Sequence, residues 1–137
     1  MSCVLRVYGN ELDVDALISQ CRLDAISVRR KGQVRGASGQ RHATSGANFV
    51  VSNAEFTSFD LRLRDATAFL SDQQAAIDAM VRFPGVESAT LDFGVAIAAG
   101  CMAQFSYLPP EFIRLAAARG LGVEISQYWC AEDPDEP

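Results

Sequence analysis

A cluster of cations in one short segment has the clearest chemical potential in this chain. Residues 29–46 hold five basic side chains and no acid, so this basic segment carries +5, while the whole chain carries −5 and the remainder −10. Guanidinium groups bind carboxylates and phosphates through paired hydrogen bonds. The segment is therefore a candidate contact for an anionic group, with five cationic binding residues: Arg29, Arg30, Lys31, Arg35 and Arg41.

The same segment also fits an alternative in which it is only a solvated connection. Its largest apolar side chain is Val34, and Gly32, Gly36 and Gly39 interrupt it. Ordering such a stretch costs roughly 1–2 kcal/mol per residue in backbone entropy, with little burial to offset that cost. We therefore expect residues 30–45 to be mobile in the free protein. Removing residues 33–40 should then leave the melting temperature nearly unchanged.

A second candidate site lies on the predicted sheet. Strand alternation places Asp92 and Glu124 on one face, with Tyr8 and Tyr128 beside them. Two carboxylates on neighbouring strands can shift each other's pKa, which is one way to prepare an acid/base pair. The alternative is a polar face, solvated or buried in a dimer, on which Arg6 or Arg29 pairs with the acids.

The remaining reactive side chains predict no further site. The four cysteines (Cys3, Cys21, Cys101 and Cys130) have no C-x-x-C spacing, and the single histidine, His42, lies in the basic segment. We expect four reduced thiols, no metal and no cofactor. No glycine-rich phosphate-binding motif is present, and the D-F-G string at residues 92–94 lacks the other kinase motifs. No catalytic residue is predicted.

Composition and patterning exclude several classes of protein. The basic segment contains no aromatic residue and the rest of the chain is acidic, so we expect no nucleic-acid partner. The apolar run at residues 95–103 is far shorter than the roughly 20 residues of a membrane span, and the first residues lack the apolar stretch of a signal peptide. We expect a cytoplasmic protein without membrane contact, folded as one domain over residues 1–130 with an acidic tail at 131–137.

Hydrophobic periodicity predicts the elements that would position these side chains. Strands are expected near residues 3–8, 25–29, 47–52, 86–95, 101–107 and 121–128, and helices near 14–21, 58–81 and 110–119. Asp13 is the expected cap of the first helix. A capping box at Ser71 should start a new helix within the second region, and Gly120 should end the last helix.

The order β-α-β-β-α-β-β-α-β predicts an α+β domain. Its last six elements match the split pattern of a ferredoxin-like sandwich, with a mainly antiparallel sheet and helices on one face. Alternation predicts that Leu5, Ile26 and Phe105 are among the strand residues facing the helices. The opposite face of the sheet should be polar and uncovered.

Short strings along most of the chain resemble a family of small bacterial proteins classed only as a domain of unknown function. The similar strings are Leu5-Arg6-Val7-Tyr8-Gly9, Lys31-Gly32, Ser45-Gly46 with Val50-Val51-Ser52, Phe83-Pro84-Gly85-Val86, Leu91-Asp92-Phe93-Gly94, Leu108-Pro109-Pro110-Glu111 and Gly120-Leu121-Gly122-Val123-Glu124-Ile125. The resemblance implies a bacterial source and supplies no activity, cofactor or catalytic residue.

The sequence therefore predicts a binding protein more than an enzyme. We expect a non-enzymatic module that binds a protein partner or itself as a homodimer, in an immunity-like or regulatory role that size and charge alone suggest. The contact would use the polar sheet face or the basic segment. The alternative is a small enzyme using Asp92 and Glu124.

Overall fold

The computed structural model describes residues 2–55, 58–97 and 99–129. Within these ranges the chain forms one five-stranded sheet and four α-helices. The strands are β1 (Cys3–Gly9), β2 (Ala25–Arg29), β3 (Ser45–Ser52), β4 (Ser88–Ile97) and β5 (Gly122–Trp129). The helices are α1 (Val14–Gln20), α2 (Phe59–Asp72), α3 (Gln74–Val81) and α4 (Pro110–Ala118).

Local sequence signals explain most helix ends. The Asp13 carboxylate accepts a hydrogen bond of 3.1 Å from the backbone N–H of Ala16, which caps α1 as predicted. Pro110 occupies the first turn of α4, where its missing N–H costs nothing. Gly120, with φ of 73°, follows the end of that helix. A new helix, α3, does begin within this region as predicted, at Gln74. The capping box is wrong, because Ser71 lies inside α2 and α3 begins without a side-chain cap.

The strand order is β2-β3-β1-β4-β5. Neighbouring strands are antiparallel except for β4 and β5, which run parallel. A parallel pair needs a crossover connection, and α4 supplies it between β4 and β5. In the same way α1 connects β1 to β2, with β3 inserted between those two strands. The α+β class predicted from the sequence is confirmed.

The strand predicted near residues 101–107 is wrong. No strand is assigned there, and the side chains of Met102, Phe105 and Tyr107 are exposed. The stretch does not pair with β4, the strand that precedes it, because both sides of β4 are occupied, by β1 and β5. The split pattern expected over the last six elements is therefore not formed by those elements.

One face of the sheet carries the core. Alternate strand residues such as Leu5, Phe49 and Leu91 are almost completely buried, together with apolar side chains from all four helices. Because one residue parity of each strand meets the helices, the other parity lines an uncovered face. We call this uncovered side the open face. The expectation that helices pack on one face is confirmed.

Ile26 does not face the helices as predicted. The pairing of β2 with β3 shifts register between Ala25 and Ser27, so the alternation along β2 is broken at this point. Ile26 is 41% exposed and lines a depression in the open face. Alternation alone could not place this side chain, because the shift depends on the partner strand.

The basic segment is not the irregular loop that its composition predicts. Residues 30–44, which we call the arm, fold back on themselves: the N–H of Gly32 donates to the carbonyl of His42, and the N–H of His42 donates to that of Gln33, both at 2.9 Å. Val34 and Arg41 form an isolated antiparallel bridge. The arm therefore extends the β2–β3 hairpin beyond the end of the sheet, with a short helical turn at Gly36–Ser38 near its tip.

Candidate anion-binding site

The cations of the basic segment separate into two groups. Arg30 donates two hydrogen bonds, of 3.0 and 2.7 Å, to the carboxylate of Asp15 on α1. These bonds hold the pKa of Asp15 below its usual value. Lys31 lies 3.5 Å from the carboxylate of Glu11. Arg30 and Lys31, two of the predicted anion-binding residues, thus pair with acids of their own chain.

The other three arginines line a single cavity. Arg29, Arg35 and Arg41, together with His42, surround a space of about 780 Å³ between the arm and the open face. Among the described residues, none of these three guanidinium groups forms an ion pair. Arg41 donates a hydrogen bond of 2.6 Å to the carbonyl of Gly32, which braces it within the arm. The cavity therefore concentrates positive charge that no described carboxylate neutralises.

The floor of the cavity is built where β1, β2 and β3 end. Tyr8 and Arg29 lie on either side of Gly46, and the Arg29 guanidinium is 5.7 Å from the centre of the Tyr8 ring. Gly46 makes this stacking possible, because a Cβ there would lie 2.6 Å from the Val7 carbonyl oxygen and 3.0 Å from the Arg29 Nη2. The cation–π contact orients Arg29. Asn48 adds an amide to the floor.

The chemistry of this cavity is that of binding. Its lining includes arginines, amides and hydroxyls but no carboxylate and no thiol. No nucleophile activated by an adjacent base can be assembled from the lining. The Nε of Arg29 is buried and has no hydrogen-bond partner among the described residues. An anion entering the cavity would meet donors already in place.

Asp92, the second predicted site, is held in a structural network. Its carboxylate accepts a hydrogen bond of 2.6 Å from the hydroxyl of Ser126, and Arg6 lies 2.7 Å away on the other oxygen. Asp92 is only 4% exposed, on the wall of a small depression of about 260 Å³. Glu124 is level with it on β5 but is exposed and does not line that depression. The two carboxylates therefore do not share a cavity.

The two tyrosines predicted beside these acids lie in different places. Tyr128 lines the depression with Asp92, whereas Tyr8 belongs to the cavity below the arm. The sequence predicted that Arg6 or Arg29 would pair with the acids of this face, and Arg6 does so with Asp92. It did not predict Ser126 as a partner of Asp92 or Asn48 in the cavity floor, although strand alternation could have found them, since both lie on the open face.

The described residues give no sign of other chemistry. Cys3, Cys21 and Cys101 are free, and Cys130 lies outside the described ranges. No group of three or more metal-ligating side chains is found in the described part of the chain. None of its helices is long and apolar enough to cross a membrane. The acidic tail predicted at residues 131–137 also lies outside the described ranges.

Comparisons of this chain with models of protein families, with characterised proteins and with solved structures found no match. The resemblance to a bacterial family of unknown function therefore stays a prediction. A function for this chain has to be inferred from the geometry of the open face and of the arm.

Proposed function

We propose that this chain is a non-enzymatic binding module that holds an acidic segment of a protein partner in the cavity between the arm and the open face. The observation that carries the proposal is the separation of the cations. Arg30 and Lys31 pair with acids of the chain itself, while Arg29, Arg35 and Arg41 converge on one cavity without a carboxylate partner among the described residues.

The lining favours a polypeptide segment over an apolar small molecule. Small-molecule pockets of similar volume are lined mainly by apolar and aromatic side chains. Here the lining is dominated by charged and polar groups, with Tyr8 as its one aromatic ring. Arginines that bind carboxylates through two hydrogen bonds suit the spaced side chains of an acidic peptide.

The alternative of a small enzyme using Asp92 and Glu124 has less support. Asp92 is neutralised by Arg6 and Glu124 is exposed outside the depression, so neither is placed as half of an acid/base pair. The binding proposal accounts for the positively charged cavity, which the enzyme alternative leaves without a role.

The direct test is titration calorimetry with a hepta-glutamate peptide at low salt, using hepta-lysine as the charge control. We expect the acidic peptide to bind and the basic peptide not to bind. Binding should weaken as ionic strength rises, because the cavity is open to solvent. The double variant Arg35→Gln with Arg41→Gln should weaken binding at least tenfold.

A matched variant separates this cavity from general charge. Arg64→Gln with Arg114→Gln removes two guanidinium charges as well, from exposed positions on α2 and α4 outside the arm, and should change the affinity less than twofold. Equal losses for the Arg35→Gln/Arg41→Gln variant and for this control would refute the proposed site. Binding of inorganic phosphate with the affinity of the peptide would instead identify a small-anion site and overturn the choice of a polypeptide.

A further inference from the structure

The chain carries an acidic segment of its own that fits this cavity. Residues 131–137 contain four carboxylates and no base, namely Glu132, Asp133, Asp135 and Glu136. The cavity supplies three guanidinium groups without an ion-pair partner among the described residues. The charged residues of the segment are all acidic, and those of the cavity are all basic. Surfaces of opposite charge attract each other and fix the orientation in which they bind.

We propose that the cavity receives the acidic segment of a second copy of this chain. The inference rests on the proposed function and names its partner. Two copies that exchange acidic segments would form a reciprocal dimer, in which each copy provides one cavity and one segment.

The sheet topology favours a second copy as the partner. Trp129 at the end of β5 is level with Ile97, whereas Tyr8 at the cavity is level with Ser88, the other end of β4. At about 3.3 Å per residue the ten residues of β4 span about 30 Å. The three strand spacings from β5 to β3 add about 14 Å sideways, which puts Gly46 about 33 Å from Trp129.

The acidic segment of the same copy cannot bring its four acids into the cavity together. Glu132 lies three residues beyond Trp129, and Glu136 lies seven residues beyond it. Fully extended chain advances at most about 3.6 Å per residue, so the Cα atoms of these two residues lie at most about 10 and 25 Å from Trp129. The near wall of the cavity, at Asn48, is level with Thr90 and lies about 27 Å from Trp129, so only the last acids of an extended segment could reach it. A second copy can present all four acids.

The exposed Tyr128 near the end of β5 agrees with a contact on the open face. Its side chain is 53% exposed and lines the depression in that face, shortly before the acidic segment. Aromatic side chains next to charged groups are the composition that protein interfaces favour. In the exchanged dimer Tyr128 would pack beside the partner's open face.

The test uses two full-length variants, each lacking one half of the contact. The segment variant replaces its four acids by amides, as Glu132→Gln, Asp133→Asn, Asp135→Asn and Glu136→Gln. The arm variant carries Arg35→Gln and Arg41→Gln. We expect sedimentation equilibrium at low salt to give the original chain a mass near that of a dimer, and each variant alone the mass of a monomer. An equimolar mixture should form a heterodimer, since one intact contact remains.

Several outcomes would overturn the inference without touching the proposed function. If the original chain is monomeric but hepta-glutamate still binds in the cavity, a polypeptide site exists and the partner is another protein. If the segment variant dimerises as strongly as the original chain, the interface lies elsewhere. If the original chain is monomeric and binds hepta-glutamate at least tenfold more weakly than the segment variant, the segment occupies its own cavity. Absence of hepta-glutamate binding to every variant would overturn both proposals.

Discussion

Replacing Asp92 by Asn tests whether this carboxylate serves the fold. Asp92 has 5% of its side chain exposed, and its partner Arg6 has 45% exposed, with 2.7 Å between Oδ2 and Nη2. Exposed ion pairs contribute about 0.2–1 kcal/mol, whereas removal of one partner from a fully buried pair costs about 3–5 kcal/mol. The substitution Asp92→Asn removes the charge and keeps an oxygen that can accept the hydrogen bond of Ser126.

We expect this substitution to lower the free energy of unfolding by about 1.5 kcal/mol at pH 7, because Arg6 is half in water and regains hydration. For a chain of this length the melting temperature should fall by about 5 °C. Urea denaturation followed by circular dichroism measures both the loss and the slope. The matched control is Glu124→Gln on the neighbouring strand, which is exposed and should change stability by less than about 0.5 kcal/mol.

A double-mutant cycle with Arg6→Gln isolates the pair itself. The coupling between the two substitutions should be about 1 kcal/mol, since each single variant already breaks the ion pair. A coupling below about 0.3 kcal/mol, or a Glu124→Gln variant as unstable as Asp92→Asn, would refute the assignment of Asp92 to a structural network.

Two further predictions concern buried positions. Gly9→Ala should destabilise the chain by more than about 3 kcal/mol or prevent folding, because the new Cβ would lie 1.8 Å from the Gly85 carbonyl oxygen. The control is Gly122→Ala, whose Cβ meets nothing closer than 3.4 Å; its melting temperature should stay within a few degrees of that of the original chain. Burial raises the pKa of Cys3 to about 12, so native Cys3 should resist alkylation at pH 8 while exposed Cys101 reacts. Site-resolved mass spectrometry measures this, and equal labelling of both cysteines would contradict the burial.

Much of the fold could be predicted because local patterns and tertiary contacts agree there. The alternation of β1 and the apolar stripe of Leu63, Ala66 and Leu70 on α2 reappear in the core, and Asp13 caps α1 as predicted. The apolar period of α2 did not predict the burial of Arg62. This side chain is completely buried and donates to the backbone carbonyl of Ser2. Its buried guanidinium donates hydrogen bonds to backbone acceptors that lie far away in the sequence. The 3.6-residue period of a helix carries no information about such acceptors.

The failure at residues 101–107 has a different cause. That stretch has the alternation typical of a strand, but a strand also needs a partner strand. Both sides of β4 are occupied, by β1 and β5, and the chain after β4 leads instead into α4, which crosses over to β5. Sequence pattern predicts the capacity of a segment to pair; the order of the strands decides whether it does.

The candidate site could be predicted only in part. Composition located the basic segment, but it could not show which of its cations pair with acids of the chain. In the structure the arm folds as an extension of the hairpin. Asp15 on α1 lies close enough to the arm to form an ion pair with Arg30. What remains for a partner is the subset that no described carboxylate pairs with, Arg29, Arg35 and Arg41. This division of the cations into paired and unpaired groups depends on contacts between residues far apart in the sequence. Such contacts cannot be predicted from the composition of the segment.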